Sequence, residues 1–307
     1  MLLKRGPKFG RHSFLSVIVI FHNMRREAAR TLFALSSRYQ RNINTDAYEI
    51  IAIDNGSTVP LDTEFVKSLG ENFRYTYFNT ECSSPCTALN YGAQIAKGSR
   101  ITFLIDGARI PSPGILHYSM LASRLYDEPF IYTLGMHIGH KPQNYLVEEN
   151  YSQIDEDKLL ASIDWHKNGY LLFDISSVAL SSKIGYFSKL TESNCITISR
   201  ATFERLGGFD EKFISAGGGL ANLDFFNRVN EINDVYPVML LGEATFHQFH
   251  GGTATNVPLK DHPWDKMAQE YLMIRGKPYQ PFYRKPVYFG NVHSKCYHLF
   301  GHSEESW

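Results

Sequence analysis

The chain has 307 residues with 43% hydrophobic content, enough to bury one large core, and its 31 basic residues are matched by 31 acidic ones. A formal net charge of zero supplies no field that would draw it to nucleic acid or to an anionic membrane. The longest apolar run, Phe14 to Phe21, falls far short of the roughly 20 residues needed to span a bilayer.

Taken in chain order, the first half alternates regularly. Segments 16–21, 49–54, 73–78 and 101–106 read as strands, and 25–38, 61–69, 86–97 and 113–121 read as helices. The runs Val17-Ile-Val-Ile20 and Ile50-Ile-Ala-Ile53 lack polar alternation, the signature of strands covered on both faces and so of a parallel sheet. This βαβαβ order predicts a doubly wound α/β fold, in which ligands sit in the crevice beyond the carboxyl ends of the strands. Asp54 and Asp106 both end such strands. The G-x-G-x-x-G fingerprint is missing after the first strand, where Phe21-His-Asn23 stands, which argues against an ordinary NAD domain.

The second half is less regular, with helices expected at 155–167, 201–206, 221–229 and 263–274 and strands at 194–199 and 237–241. No internal repeat or low-complexity linker interrupts it. The expected division is an N-terminal segment at 1–14, one α/β domain at 15–255 and a C-terminal helical extension at 256–307. Cys82, Cys86, Cys195 and Cys296 have no C-x-x-C spacing and no secretory leader ahead of them, so they read as free thiols in a reducing compartment. The basic clusters near the ends (Lys4, Arg5, Lys8, Arg11; Arg275, Lys277, Arg284, Lys285) read as solvated.

Five motifs then follow one another: Ser16-Val-Ile-Val-Ile-Phe-His-Asn23, Tyr48-Glu-Ile-Ile-Ala-Ile-Asp54-Asn-Gly-Ser57, Ala88-Leu-Asn90-Tyr-Gly92 with Ala96-Lys-Gly98, Leu104-Ile-Asp106, and Leu206-Gly-Gly-Phe-Asp210-Glu. In this order the chain resembles glycosyltransferase family 2, of the GT-A fold. Gly217-Gly-Gly219, His247-Gln-Phe-His250-Gly-Gly252 and the segment 262–281 are similar to a bacterial subgroup of that family associated with surface-polysaccharide assembly. The resemblance implies transfer of a sugar from a nucleotide-diphosphate donor, a UDP-sugar in preference, to a saccharide or lipid-linked saccharide. It also implies a cytoplasmic protein, at the inner face of the membrane if peripherally attached, with no nucleic-acid partner.

The resemblance places Phe21, Asn23, Asp54, Asn90, Asp106 and Arg109 on the nucleotide sugar. Asp54 either caps the Asn55-Gly-Ser57 turn or accepts hydrogen bonds from the base. Asp106 either caps the following helix or begins the D-x-D motif that contacts the ribose or the metal-bound diphosphate. The second aspartate of that motif falls on Ala108, which has no ligand oxygen. Arg109 beside it is either a surface residue at a helix start or a guanidinium that pairs with the diphosphate directly. Two cofactor expectations follow: none, or Mn2+ or Mg2+ held by Asp106 with His247 and His250. Two histidines three apart share a site only if the chain turns there, as Gly251-Gly252 allows.

The catalytic aspartate of the family falls on Asn222, which cannot take a proton. Glu192 and Asp224 are the carboxylates that could replace it as general base if the transfer inverts the anomeric centre, although Asp224 also suits a helix start. Gly217-Gly-Gly-Leu220 reads as a closing loop or a simple turn. Trp165, Tyr170, Trp264, Tyr271, Tyr279 and Tyr283 offer stacking faces to an acceptor ring or fill the core. The alternative from another class is a noncatalytic nucleotide-sugar or glycan-binding module that retains the fold. A nucleotidyltransferase is a third reading, against which stands the missing glycine-rich phosphate loop.

Overall fold

In a computed structural model, which describes residues 14–300, ten strands form one sheet. They are β1 (Leu15–Phe21), β2 (Tyr48–Asn55), β3 (Phe73–Phe78), β4 (Arg100–Leu104), β5 (Arg109–Pro111), β6 (Pro129–Ile138), β7 (Ser176–Val178), β8 (Cys195–Ser199), β9 (Tyr236–His247) and β10 (Val287–Gly290). The order across the sheet is β10-β9-β6-β8-β4-β1-β2-β3, with β5 paired to β9 and β7 to β6. The basic residues Lys4, Arg5, Lys8 and Arg11 lie outside the described residues.

The first four strands obey the sequence pattern. β1 and β2 are buried along their whole length and pair in parallel, Phe21 opposite Asp54, while β4 and β3 extend the parallel set on either side. The crossovers are α1 (Arg25–Ala34), α2 (Thr63–Ser68) and α3 (Cys86–Ile95), shorter than the expected helices. α2 starts where Asp62 accepts hydrogen bonds from the amides of Glu64 and Phe65. α3 lies flat on the sheet because Gly92 has no side chain: a Cβ there would come within 2.7 Å of Ile18 and 2.8 Å of Ile53. β4 ends at Leu104, so Asp106 stands in the turn beyond the strand rather than in it.

In the second half the expected helices at 201–206, 221–229 and 263–274 and the strand at 194–199 all form, but the strands run in both directions. α4 (Ile115–Ala122), α5 (Gln143–Leu146), α6 (Gln153–Ala161), α7 (Arg200–Arg205), α8 (Ala221–Asn230) and α9 (Trp264–Arg275) surround a mixed set of strands. β8 runs antiparallel between β4 and β6, whereas β9 is parallel to β6. The run Phe130-Ile-Tyr-Thr-Leu134 is the core of β6, a strand with no counterpart among the expected elements. β9 is 12 residues long and carries the chain to His247, well past the expected end at 241. β5 then pairs with its end and sets Arg109 opposite His247.

Apolar clusters fill both faces of the sheet. The segment assigned to a C-terminal extension adds β10 to the sheet edge beside β9 and buries Met267 and Tyr271 of α9. Arg275, expected to be solvated, ion-pairs with Asp210 at 2.8 Å and Asp224 at 2.6 Å. All four cysteines are free thiols. Among the described residues no helix is long and apolar enough to cross a membrane.

Candidate functional site

A cavity of about 1120 Å³ opens beyond the carboxyl ends of β1, β2 and β4, where a sheet of this type leaves a crevice. Asn23, Asn55, Asp106, Arg109, Glu192, Asn222, His250 and Trp264 are among the residues that line it.

At its floor the structure brings Asp106, His247 and His250 together, with one ligand atom from each lying within 4.8 Å of the others. Asp106 is set by its own turn, where the Ala108 amide donates to Oδ1 at 3.0 Å. Gly107 in that turn touches β1, since a Cβ there would lie 2.4 Å from the Ile20 carbonyl. His247 Nε2 stands 3.0 Å from Asp106 Oδ2 and 3.2 Å from His250 Nε2.

The tautomer of His247 follows from its other side. The Gln143 amide nitrogen donates to the carbonyls of Ile138 and His247, so its oxygen faces His247 Nδ1 at 2.6 Å and accepts the proton carried there. Asn256 Nδ2 donates to the same oxygen at 2.8 Å. His247 Nε2 therefore presents a lone pair. Burial, opposed by Asp106, lowers the His247 pKa to about 4, so the ring is neutral at physiological pH. Burial acts to raise Asp106, and the Arg109 guanidinium beside it works against that shift. A carboxylate and an imidazole lone pair thus confront each other, a repulsion that a cation between them turns into attraction. Asn256 also fixes the turn after β9, accepting from the amides of His250, Gly251 and Gly252 at 3.1, 3.0 and 2.9 Å. Neither Gln143 nor Asn256 had a sequence signal, because the contacts that tie Gln143 to His247 and to Asn256 span 104 and 113 positions.

Arg109 is not a surface residue. It is 4% exposed, its Nε lies 3.5 Å from Asp106 Oδ2, and Nε and Nη1 are buried without a hydrogen-bond partner. Burial lowers its pKa, while Asp106 and Glu192 oppose the shift. His137, also unforeseen, lines the cavity nearby with Nδ1 accepting from the Gln143 amide at 2.9 Å.

Three of the expected ligand contacts, Asp54, Phe21 and Asn90, do not line the cavity. Asp54 is fully buried and does not line the cavity: Ser57 N donates to Oδ1 at 3.1 Å, and Leu61 N and Tyr75 OH reach Oδ2 at 2.8 and 3.5 Å. It organises the turn. Its neighbour Asn55 faces the cavity instead. The Asn55 Nδ2 donates to the carbonyls of Cys82 and Ser84, which leaves Oδ1 buried and unpartnered. Phe21 is fully buried in the core, away from the cavity. Asn90 ties α3 to the Gly207-Gly-Phe209 turn, donating to Phe209 O and accepting from Phe209 N at 2.9 Å each. Asn23 does line the cavity, in a left-handed conformation with φ of 54° braced by Thr58 and Ser57.

The two candidate bases separate in the same way. Asp224 is 1% exposed and held by Arg228 at 2.8 Å and Arg275 at 2.6 Å, so it belongs to a buried ion-pair network away from the cavity. Glu192 lines the cavity and makes no hydrogen bond or ion pair among the described residues. Asn222 lines it too, with Oδ1 buried and unpartnered. Gly217, Gly218 and Gly219 have φ of 70°, 88° and 53° and pack against Pro85 and Glu270, a tight turn at the cavity edge. Among the aromatic residues, Trp165, Tyr170 and Tyr271 belong to the core, whereas Trp264 and Tyr279 line the cavity and Tyr283 does not.

The family described as glycosyltransferase like family 2 matches residues 16–251. Two proteins named validoxylamine A glucosyltransferase, from Streptomyces hygroscopicus subsp. jinggangensis (strain 5008) and subsp. limoneus, are each 26% identical over 219 residues, 66% of this chain. The chain spans about half the length of these curated relatives, 49% and 45% respectively. The crystal structure of S. aureus TarS 1-349 is similar in fold, with TM-score 0.51 and 13% identity over 76% of this chain and 60% of that one. The same fragment in complex with UDP gives TM-score 0.52 and 13% identity over 84% of this chain and 65% of that one. The fold is GT-A.

Proposed function

The chain belongs to the glycosyltransferase-like family 2, and from that premise we propose that it transfers a sugar from a UDP-sugar to a hydroxyl of a saccharide acceptor. The observation that carries the reading is the convergence of Asp106, His247 and His250 beside the buried guanidinium of Arg109, whose Nε and Nη1 have no hydrogen-bond partner, at the strand ends of the sheet.

Two imidazoles and one carboxylate suit a transition ion such as Mn2+ better than Mg2+, which prefers oxygen ligands. When bound, that ion supplies charge neutralisation for the diphosphate of the donor and of the departing nucleotide. Arg109 adds fixed positive charge in a water-poor floor, where it acts most strongly on the leaving group. At the other end, Asn55 Oδ1 accepts a base N–H, which the N3–H of uracil provides; the UDP complex of TarS supports that choice of donor.

Glu192 is the base in this reading. As the acceptor oxygen attacks the anomeric carbon, Glu192 takes the hydroxyl proton, the bond from that carbon to the diphosphate oxygen breaks, and its electron pair stays with the diphosphate. This is an inverting transfer. Surface-polysaccharide assembly on the cytoplasmic side is the setting we favour, supported by the similarity of 217–219, 247–252 and 262–281 to proteins of that role and by the four free thiols. Ala108 and Asn222, where the family has carboxylates, favour the noncatalytic binding module as the second reading.

Calorimetry with UDP, with and without Mn2+, tests the proposal. UDP is expected to bind tightly only with Mn2+, and His250→Ala should remove that enhancement. Equal UDP affinity in chelator and in Mn2+ overturns the metal-assisted donor site, and metal-assisted binding without turnover of any acceptor favours the binding module.

A further inference from the structure

The two turns that carry the candidate metal ligands are each fixed from within, Asp106 by the Ala108 amide and residues 250–252 by Asn256. Neither arrangement sets the gap between the turns. That gap matters, because a binding constellation must hold its ligand atoms within about 0.5 Å of the productive geometry. The backbone joins the turns where β5 pairs with β9 and where the Gln248 amide donates to the Ala108 carbonyl at 2.8 Å. A second tie comes from α1.

Thr31 lies inside α1 and is fully buried. A threonine in a helix can return its hydroxyl to the carbonyl one turn back. Thr31 instead donates to the Gly107 carbonyl at 2.7 Å, within the Asp106 turn, and accepts from Gln248 Nε2 at 3.1 Å, beside His247. One oxygen atom thus bonds to both turns. Gln248 is itself committed to α1: Nε2 also reaches the Glu27 carbonyl at 3.2 Å, and Arg30 Nη1 donates to Oε1 at 3.4 Å.

α6 closes the frame around the second turn. Its buried Glu156 accepts from the Phe249 amide, while Arg26 of α1 donates to the Phe249 carbonyl at 3.4 Å. Arg26 and Arg30 also ion-pair with Glu156, at 3.2 and 3.4 Å, and both reach Asp157, so the two helices move as one. The residue between Gln248 and His250 is therefore held at its N–H and at its C=O. None of these side chains lines the cavity.

We propose that Thr31 is a positioning residue: its hydroxyl sets the gap between Asp106 and the two histidines, and through that gap the affinity for a transition cation, without touching cation or substrate. This inference rests on the proposed reading of Asp106, His247 and His250 as metal ligands.

The test uses Mn2+ alone as the probe, titrated into the full chain and followed by the electron paramagnetic resonance of the free ion. Thr31→Val keeps the shape of the side chain and removes the hydroxyl, so Mn2+ affinity should fall about tenfold. Thr31→Ser restores the hydroxyl and should recover most of that loss. Gln248→Met cuts the same tie from its other end, and the double variant should lose less than the product of the two single losses, because both remove one shared bond. Thr133→Val is the control: it deletes another buried threonine hydroxyl, the one bonded to the Glu243 carbonyl, and should lower stability in chemical denaturation with Mn2+ affinity unchanged. Unchanged Mn2+ affinity in folded Thr31→Val overturns the proposal even if stability falls, and so does an equal loss of affinity in Thr133→Val. If Thr31→Val does not fold, Gln248→Met decides, and unchanged affinity there overturns the proposal as well. A wild-type protein that leaves all the Mn2+ free strikes the metal reading itself, and that is measured first.

Discussion

The two halves of the sheet reach the same cavity by different means. β1 and β2 are parallel and buried throughout, and the residues at their ends are braced from within the same half, 27 to 35 positions away: Asn23 by Ser57 and Thr58, Asn55 by Cys82 and Ser84. The second half is mixed in direction, and its groups are held by partners remote in the chain. His247 is fixed by Gln143, 104 positions away, and Arg109 reaches the floor only because β5 pairs with the end of β9. In the proposed donor site, the groups assigned to the base are thus braced from within the first half, and those assigned to the metal and phosphate by contacts across the molecule. Substitutions in the second half should therefore act further from where they are made.

The largest effect is expected where the second half supplies chemistry. Glu192→Gln should lower turnover by about 10²- to 10⁴-fold while leaving UDP affinity intact. Asp224→Ala is its counterpart, because removing this carboxylate takes a charged partner from Arg228 and Arg275, although Arg275 keeps Asp210 and Arg228 the carbonyls of Leu206 and Gly208; a loss of about 1.5–3 kcal/mol of stability in chemical denaturation is expected. If Asp224→Ala instead kept full stability and lost turnover, the roles of the two carboxylates would be exchanged.

Next comes a pH effect from β9, which resembles β1 in burial but carries a carboxylate inside. Glu243 accepts from Tyr170 OH at 2.8 Å and Gly114 N at 3.1 Å and contacts Ser112 Oγ, and burial raises its pKa to about 7. In the unfolded chain it ionises near its ordinary value, so between about pH 4.5 and 7 the folded state binds more protons and stability falls as pH rises, levelling off above. Glu156 is also raised by burial to about 7, whereas His247, lowered to about 4, works the other way. The readout is consequently the difference between wild type and Glu243→Gln. Relative to the variant, the wild type should lose up to about 3 kcal/mol from pH 5 to 8. Parallel stability profiles would show that Glu243 ionises normally in the fold.

Smaller effects sharpen the contrast between remote and local bracing. Gln143→Leu removes the acceptor that sets the tautomer of His247, and Mn2+ affinity, followed by the electron paramagnetic resonance of the free ion, should drop about 10- to 100-fold. Asn55→Ala acts within the first half. It should weaken UDP by about 1 kcal/mol, several-fold in calorimetry, and leave Mn2+ affinity unchanged. A larger loss of Mn2+ affinity in Asn55→Ala than in Gln143→Leu would break the division between the halves.

The sequence by itself determined the parallel βαβ half, because unbroken β-branched runs can only be strands covered on both faces. It also singled out Asp106, His247 and His250 by residue type and motif order. It did not decide which polar groups remain available to a ligand. Asp54 and Asp224 are as acidic as Asp106 and Glu192 on paper, yet the first is consumed by backbone amides and the second by two arginines. Asn55 and Arg109 are the reverse case, buried with polar atoms left over. β6 and the full length of β9 were hidden because their register depends on strands far apart in the chain. Only the tertiary structure could decide these points, since whether a buried donor or acceptor is satisfied depends on neighbours that chain spacing does not record.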